Sequence, residues 1–299
     1  MKSGGESSRF GGDMDLEHKA IDRLKAASDM SLAIYQKPLS ICYSGGKDSE
    51  VLLDLALKAK IPMIVAHSHT TADAPETVYH VRKVFHQLED KSIKTVIAYP
   101  TYKGEPTSMW KLIPQKLMPP TRLVRYCCLV LKETYGKDSF IATGVRWDES
   151  NKRKNRAIME IQVGKVSDSI NLNNDNNEDR RLFENCELKG KRVVNPIIDW
   201  KDDEIWDYCR SEKLDLNPLY GCGFNRVGCV GCPMASKAQV AGFRIYPKYK
   251  QMYIHAFDRM LEERKRKGKG IQWQSGEEVF HWWVEDGVLP GQEKLEGFD

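Results

Sequence analysis

Short apolar runs of strand length alternate along this chain with segments whose apolar residues recur every three to four positions. The run Leu39-Ser40-Ile41-Cys42-Tyr43 predicts a strand, and the leucine-rich stretch 51–57 behind it predicts a helix. Residues 61–67, 94–99 and 139–145 predict three further strands, while 16–35 and 75–88 predict amphipathic helices. Pro75 falls at the first helical position, where its missing N–H costs nothing. Strands alternating with helices predict an α/β protein with a doubly wound, mostly parallel sheet, whose ligands sit at the carboxyl ends of strands.

Three stretches depart from this rhythm. Residues 1–13 are Gly/Ser-rich and polar and predict a disordered lead-in. Residues 171–179, with five Asn and three acidic residues in nine, predict a solvated loop. From about residue 235 the pattern becomes helical, aromatic and basic. The expected organisation is therefore an α/β domain over 14–234 and a helical C-terminal region over 235–299. The chain of 299 residues has no apolar run of membrane-spanning length and no visible secretory signal, so a cytoplasmic setting away from membranes is expected.

Charge sharpens the picture locally. The formal net charge is only +4, yet residues 236–270 carry ten Lys/Arg against three acidic residues. Phe243-Arg244-Ile245-Tyr246-Pro247-Lys248-Tyr249-Lys250 interleaves aromatics with bases, which could track a phosphate backbone and stack bases. The same spacing of Tyr246, Tyr249, Tyr253, Phe257 and Met260 also suits a core-facing stripe.

The chemistry begins at Ser44-Gly45-Gly46-Lys47-Asp48-Ser49, between the first strand and its helix. Glycines let backbone N–H groups approach an anion, the helix N-terminus points unpaired donors at it, and Lys47, Ser44 and Ser49 add charge and hydroxyls. This string resembles the PP-loop of the ATP pyrophosphatase and sulfonucleotide (PAPS) reductase superfamily rather than a Walker A loop. The resemblance implies an adenine nucleotide α-hydrolase-like fold and attack at the α-phosphate while the loop holds pyrophosphate.

Among eight cysteines, Cys127 and Cys128 are adjacent, and Cys229 and Cys232 form a C-x-x-C. A cytosolic chain uses such residues for metal or redox chemistry, leaving an iron-sulfur cluster, zinc or free thiols open. The combination resembles the 4Fe-4S ligands of assimilatory adenylylsulfate reductases, which implies Cys127, Cys128, Cys229 and Cys232 as thiolate ligands, with Cys222 as a substitute. Cys42, Cys186 and Cys209 read as packing residues.

The resemblance continues over about residues 39–250. It implies that Thr71 and Asp73 read adenine and ribose, that Lys132 brings a base to the nucleotide, and that Gly144 and Arg146 form a glycine-arginine loop facing phosphate. Asn195 to Trp200, Glu204 to Trp206 and Asn217 to Tyr220 match the element before the C-x-x-C. Reductases of the family attack sulfur with a cysteine near the C-terminus, whereas no cysteine follows Cys232 here, and their loop is usually degraded, whereas this one is intact. The expected reaction is thus ATP α-hydrolysis or adenylation with a 4Fe-4S cluster, similar to DNA phosphorothioation and tRNA thiolation enzymes. Lys47 would hold pyrophosphate, Asp48 would help place Mg²⁺, and Arg146 and Lys132 would offset developing charge. Expected partners are a nucleic-acid acceptor and a cysteine desulfurase or thioredoxin-like donor. A thioredoxin-linked sulfonucleotide reductase and a non-catalytic nucleotide-binding subunit of a phage or defence complex are the alternatives.

Overall fold

The computed structural model describes residues 13–150, 153–162, 169–172, 191–235, 237–270 and 272–285. Contacts divide the chain into two compact units that are interleaved in sequence. The first is drawn from Met1–His67, Glu76–Ile97 and Gly136–Val227, and the second from Ser68–Pro75, Ala98–Tyr135 and Gly228–Asp299. A sequential boundary near residue 234 was expected; the segments 68–75 and 98–135 group instead with the C-terminal residues.

In the first unit, helix α1 (Asp13–Tyr35) leads into β1 (Leu39–Cys42), α2 (Lys47–Ala59), β2 (Met63–Ser68), α3 (Pro75–Glu89) and β3 (Lys94–Ala98). Two short strands of the second unit, β4 (Thr101–Tyr102) and β5 (Glu105–Pro106), form an antiparallel hairpin before α4 (Met109–Lys116) and α5 (Tyr126–Leu131). The first unit resumes with β6 (Phe140–Ala142), β7 (Met159–Gln162), β8 (Ser169–Leu172), β9 (Lys191–Val194) and α6 (Asp202–Ser211).

The sheet order is β3-β2-β1-β6-β9-β7-β8. It is parallel from β2 through β1 and β6 to β9, with β7 and β8 added antiparallel at one edge, so the doubly wound, mostly parallel class expected from the sequence is the one observed. Leu39, Ile41, Val65, Phe140, Ala142 and Val194 are at most 1% exposed, which fits the continuous apolar runs of strands covered on both faces. Helix α2 buries Val51, Leu52, Leu55, Ala56 and Ala59, the stripe that period 3.6 dictates. Arg23 clamps α1 to the segment after β9, donating to both Asp199 carboxylate oxygens at 2.7 and 2.9 Å.

Two sequence expectations change here. Asn171 and Leu172, assigned to a solvated loop, belong to β8, while 173–179 lie outside the described residues, as do 1–12 and Cys186. Strand β9 was not anticipated, because Lys191 and Arg192 open it and leave an apolar run of only two residues.

The second unit packs α8 (Pro247–Arg266) against α4 and α9 (Gly276–Val284), with α7 (Lys237–Ile245) preceding them. Tyr253, Ala256, Phe257, Met260 and Leu261 form the buried face of α8. Their aromatic rings meet Phe243 and Trp283 at centroid distances of 4.7–5.6 Å. Of the interleaved aromatics, Tyr253 and Phe257 are core. Arg259 and Arg264 donate to the carbonyls of Trp110 and Leu117 at 2.9 and 2.7 Å, fixing the end of α8 to α4.

Candidate functional site

In the first unit the six-residue loop sits at the carboxyl end of β1. Gly45 adopts φ +74°, and a Cβ there would stand 3.1 Å from Val81 and 3.3 Å from Thr77, so both conformation and space favour glycine. Its carbonyl accepts from Asn217 Nδ2 at 3.1 Å, and the same amide donates to Thr77 Oγ1 at 3.1 Å. The Ser49 hydroxyl sits inside the turn. It donates to Gly46 O at 2.7 Å and accepts from the N–H groups of Ser44 and Gly46 at 3.1 and 3.2 Å. Ser49, expected as a donor to phosphate, thus also organises the loop itself.

The loop's two ends are tied beneath it. Tyr43, just before the loop, donates its hydroxyl to Glu50, just after it, and His80 Nε2 of α3 lies 2.6 Å from the same carboxylate oxygen. All three side chains are buried, and burial, with the Glu50 charge behind it, pushes the Tyr43 hydroxyl's pKa far up. Residue periodicity gave no hint of this cluster, because Tyr43 and His80 read as ordinary core positions of a strand and a helix.

Lys47 and Arg146 meet above the loop through shared carboxylates. Lys47 Nζ lies 2.6 Å from Asp202 Oδ1 and 3.2 Å from Asp48 Oδ1, while Arg146 reaches Asp48 at 2.7 Å and Asp202 at 2.8 Å. Both cations are buried. Partial burial, the largest single influence on Asp202, works against its ionisation, but the Lys47 and Arg146 contacts together hold its pKa below the usual carboxylate value. A Cβ on Gly144 would stand 2.9 Å from Asp48 O, so the β6 loop approaches the backbone of α2 too closely for a side chain. The Lys47 N–H donates to the Tyr220 hydroxyl at 2.9 Å. Asp202 escaped sequence reasoning: in Asp202-Asp203-Glu204 it reads only as an acidic helix start that suits the macrodipole.

The second unit gathers the other expected residues: Thr71, Asp73, Lys132 and the four cysteines. The C-x-x-C turn is stitched to the segment 70–73, with Val230 N–H on Ala72 O at 2.8 Å and the Cys229 thiol 3.3 Å from Thr70 Oγ1. Gly231 supplies the turn with φ +74°. Tyr253 and Gln239 donate to the carbonyls of Val230 and Gly231 at 3.0 and 3.2 Å. Asp73 accepts from Thr70 N–H at 2.9 Å, and Thr71 Oγ1 accepts from Met109 N–H at 2.9 Å, so both residues expected to read the nucleotide also brace their own loop.

Helix α5 carries Cys127 and Cys128. A hydrogen bond between their sulfurs leaves the proton on Cys127, whose pKa rises, and lowers that of Cys128; burial opposes ionisation of Cys128, while Lys132 and Arg125 favour it. Cys229 and Cys232 add smaller upward influences on Cys127. The sulfur of Cys229 is the main influence raising the Lys132 pKa, so that ammonium stays charged. Burial raises the pKa of Cys229 itself. Cys222 is exposed and belongs to the first unit.

A parallel α/β sheet with a glycine-turned, cation-flanked loop at the carboxyl end of an inner strand defines a protein of the doubly wound class. The chain belongs to the phosphoadenosine phosphosulfate reductase domain family, whose model matches residues 38–235. Its similar proteins include two uncharacterised proteins of Methanocaldococcus jannaschii. One is 26% identical over 85% of this chain and 56% of its own length, the other 27% identical over 79% and 44%. The chain thus spans about half the length of these curated relatives. An adenosine 5'-phosphosulfate reductase of Staphylococcus haemolyticus is 27% identical over 64% of this chain and 70% of its own. Among solved structures, the U34-tRNA thiolase NcsA of Methanococcus maripaludis, described with its 4Fe-4S cluster, covers 86% of this chain and 82% of its own. It does so at 13% identity and a TM-score of 0.44. No helix among the described residues is long and apolar enough to cross a membrane.

Proposed function

We propose that this chain is a PP-loop enzyme that cleaves ATP at the α-phosphate, releasing pyrophosphate and adenylating an acceptor, in the service of sulfur incorporation into DNA or tRNA. The observation that carries the reading is the intact, preformed loop, with Gly45 turned, Ser49 bonded inside it and two buried cations at its rim. The loop N–H groups and Lys47 would hold the leaving pyrophosphate, and Arg146 would offset charge developing on the phosphorus oxygens. Asp48 is the residue assigned to help place Mg²⁺, and Thr71, Asp73 and Gly144 to hold the rest of the nucleotide.

Cys127, Cys128, Cys229 and Cys232 are assigned to a 4Fe-4S cluster, which would supply a Lewis-acidic or redox-active iron. Lys132 holds positive charge beside these sulfurs. The partners would be a nucleic acid and a sulfur donor of the cysteine desulfurase or thioredoxin kind, in the cytoplasm.

A sulfonucleotide reductase is the second reading, favoured by the relatives named for that activity. Anaerobic purification with an absorption spectrum, followed by pyrophosphate release from ATP with and without DNA or tRNA, tests the first. Brown protein that releases pyrophosphate supports it. Colourless zinc protein removes the cluster, and thioredoxin-dependent sulfite release from adenylylsulfate transfers the chain to the second reading.

A further inference from the structure

Asp202 stands apart from the other charged groups at the loop. It bridges two buried cations, Lys47 at 2.6 Å and Arg146 at 2.8 Å, yet its own side chain is 54% exposed. Asp48, which touches the same pair, is held next to the loop as the second residue of α2 and is 25% exposed. Asp202, the more exposed of the two, has room to swing away by side-chain rotation. The nearby Tyr220 hydroxyl accepts the Lys47 N–H, so two oxygens supplied from beyond residue 200 sit on donors that an anion would use.

We propose that Asp202 is a resident carboxylate that competes with the loop's anion for Lys47 and Arg146. Two buried cations sharing Asp48 alone are under-compensated, so the Asp202 carboxylate helps keep them in place while the loop is empty. A ligand must replace what it displaces. An anion of higher charge, such as pyrophosphate or a polyphosphate chain, recovers more of that cost than a single phosphate. This rests on the reading of Ser44–Ser49 as a pyrophosphate cradle.

Calorimetric titration of the full chain with inorganic pyrophosphate and with inorganic phosphate tests it, using wild type, Asp202→Asn and Asp203→Asn. Asp202→Asn should bind pyrophosphate about fivefold tighter at low ionic strength, as expected for losing one partly exposed competing charge, with phosphate gaining no more than pyrophosphate does. Asp203→Asn, which removes an equal charge one residue away, should stay within about twofold of wild type. Asp202→Ser, which retains a residue suited to a helix start, should show the same gain as Asp202→Asn. Wild type that binds while neither Asp202 variant gains affinity overturns the competition and leaves the cradle standing. Absence of binding in every protein overturns both.

Discussion

Gly231, inside the C-x-x-C turn, allows the packing behind the cysteines to be measured. Adding a methyl group by Gly231→Ala acts twice. The backbone is at φ +74°, a conformation that costs an L-residue about 1–2 kcal/mol. The new Cβ would also lie 2.5 Å from Phe243 Cζ and 2.8 Å from Tyr253 Cε2. Those rings are 5% and 1% exposed and pack edge-to-face on each other, so neither can yield freely, and overpacking of this kind adds about 1–3 kcal/mol. Allowing for the stiffer unfolded chain of the variant, the net loss should be about 2–4 kcal/mol. Two other glycines separate the contributions. Gly223 has φ +86° with open space around it, so its alanine variant should lose about 1 kcal/mol. Gly228 has open space and no positive φ, and should lose less than about 0.5 kcal/mol. Guanidinium unfolding followed by circular dichroism and tryptophan fluorescence gives the three values. A Gly231→Ala variant no weaker than Gly223→Ala would refute the argument that Phe243 and Tyr253 close over the turn.

The buried Tyr43–Glu50–His80 cluster predicts a graded series in the same assay. Tyr43→Phe, which leaves Glu50 its His80 contact, should cost about 1–2 kcal/mol, whereas Glu50→Ala, which leaves Tyr43 and His80 only their mutual 3.1 Å contact, should cost about 3 kcal/mol; equal losses would show that the three do not act together. Thiol reactivity should divide by position. Burial pushes Cys42 up to about 11 and Cys209 up to about 12, so at pH 8 iodoacetamide should label exposed Cys222 and spare these two until the chain unfolds, as read by peptide mass spectrometry. Because both folded-state values are raised, the unfolded chain ionises first as pH climbs past the usual thiol range, and stability should fall there with rising pH. Labelling of Cys42 at the rate of Cys222 would contradict its placement in the fold.

How much of this was legible in the sequence depends on what each residue's neighbours reveal. The strand before the loop 44–49, the turn itself and the helix behind it were readable because an apolar run, a glycine pair and a leucine period mark them locally. The sheet's antiparallel edge was not, since β7 and β8 are four residues each and carry charged or polar side chains among their apolar ones. Asp202, Asn217 and Tyr220 act on the loop from more than 150 residues away, and only the fold brings them to it. The basic, aromatic stretch 243–253 allowed two readings by periodicity, and burial of Tyr253 separates them at that position.

The interleaving of the two units also sets an order of events at the ribosome. Cys127 and Cys128 emerge with α5, but Cys229 and Cys232 follow roughly a hundred residues later, on the order of 5–20 s at ordinary translation speeds. Through that interval the part of the second unit that follows residue 227, the C-x-x-C turn and α8 included, has not yet been made. The adjacent thiols therefore meet oxidants and metal ions before the rest of their unit exists, and the growth conditions under which the protein is made will decide what those sulfurs first meet.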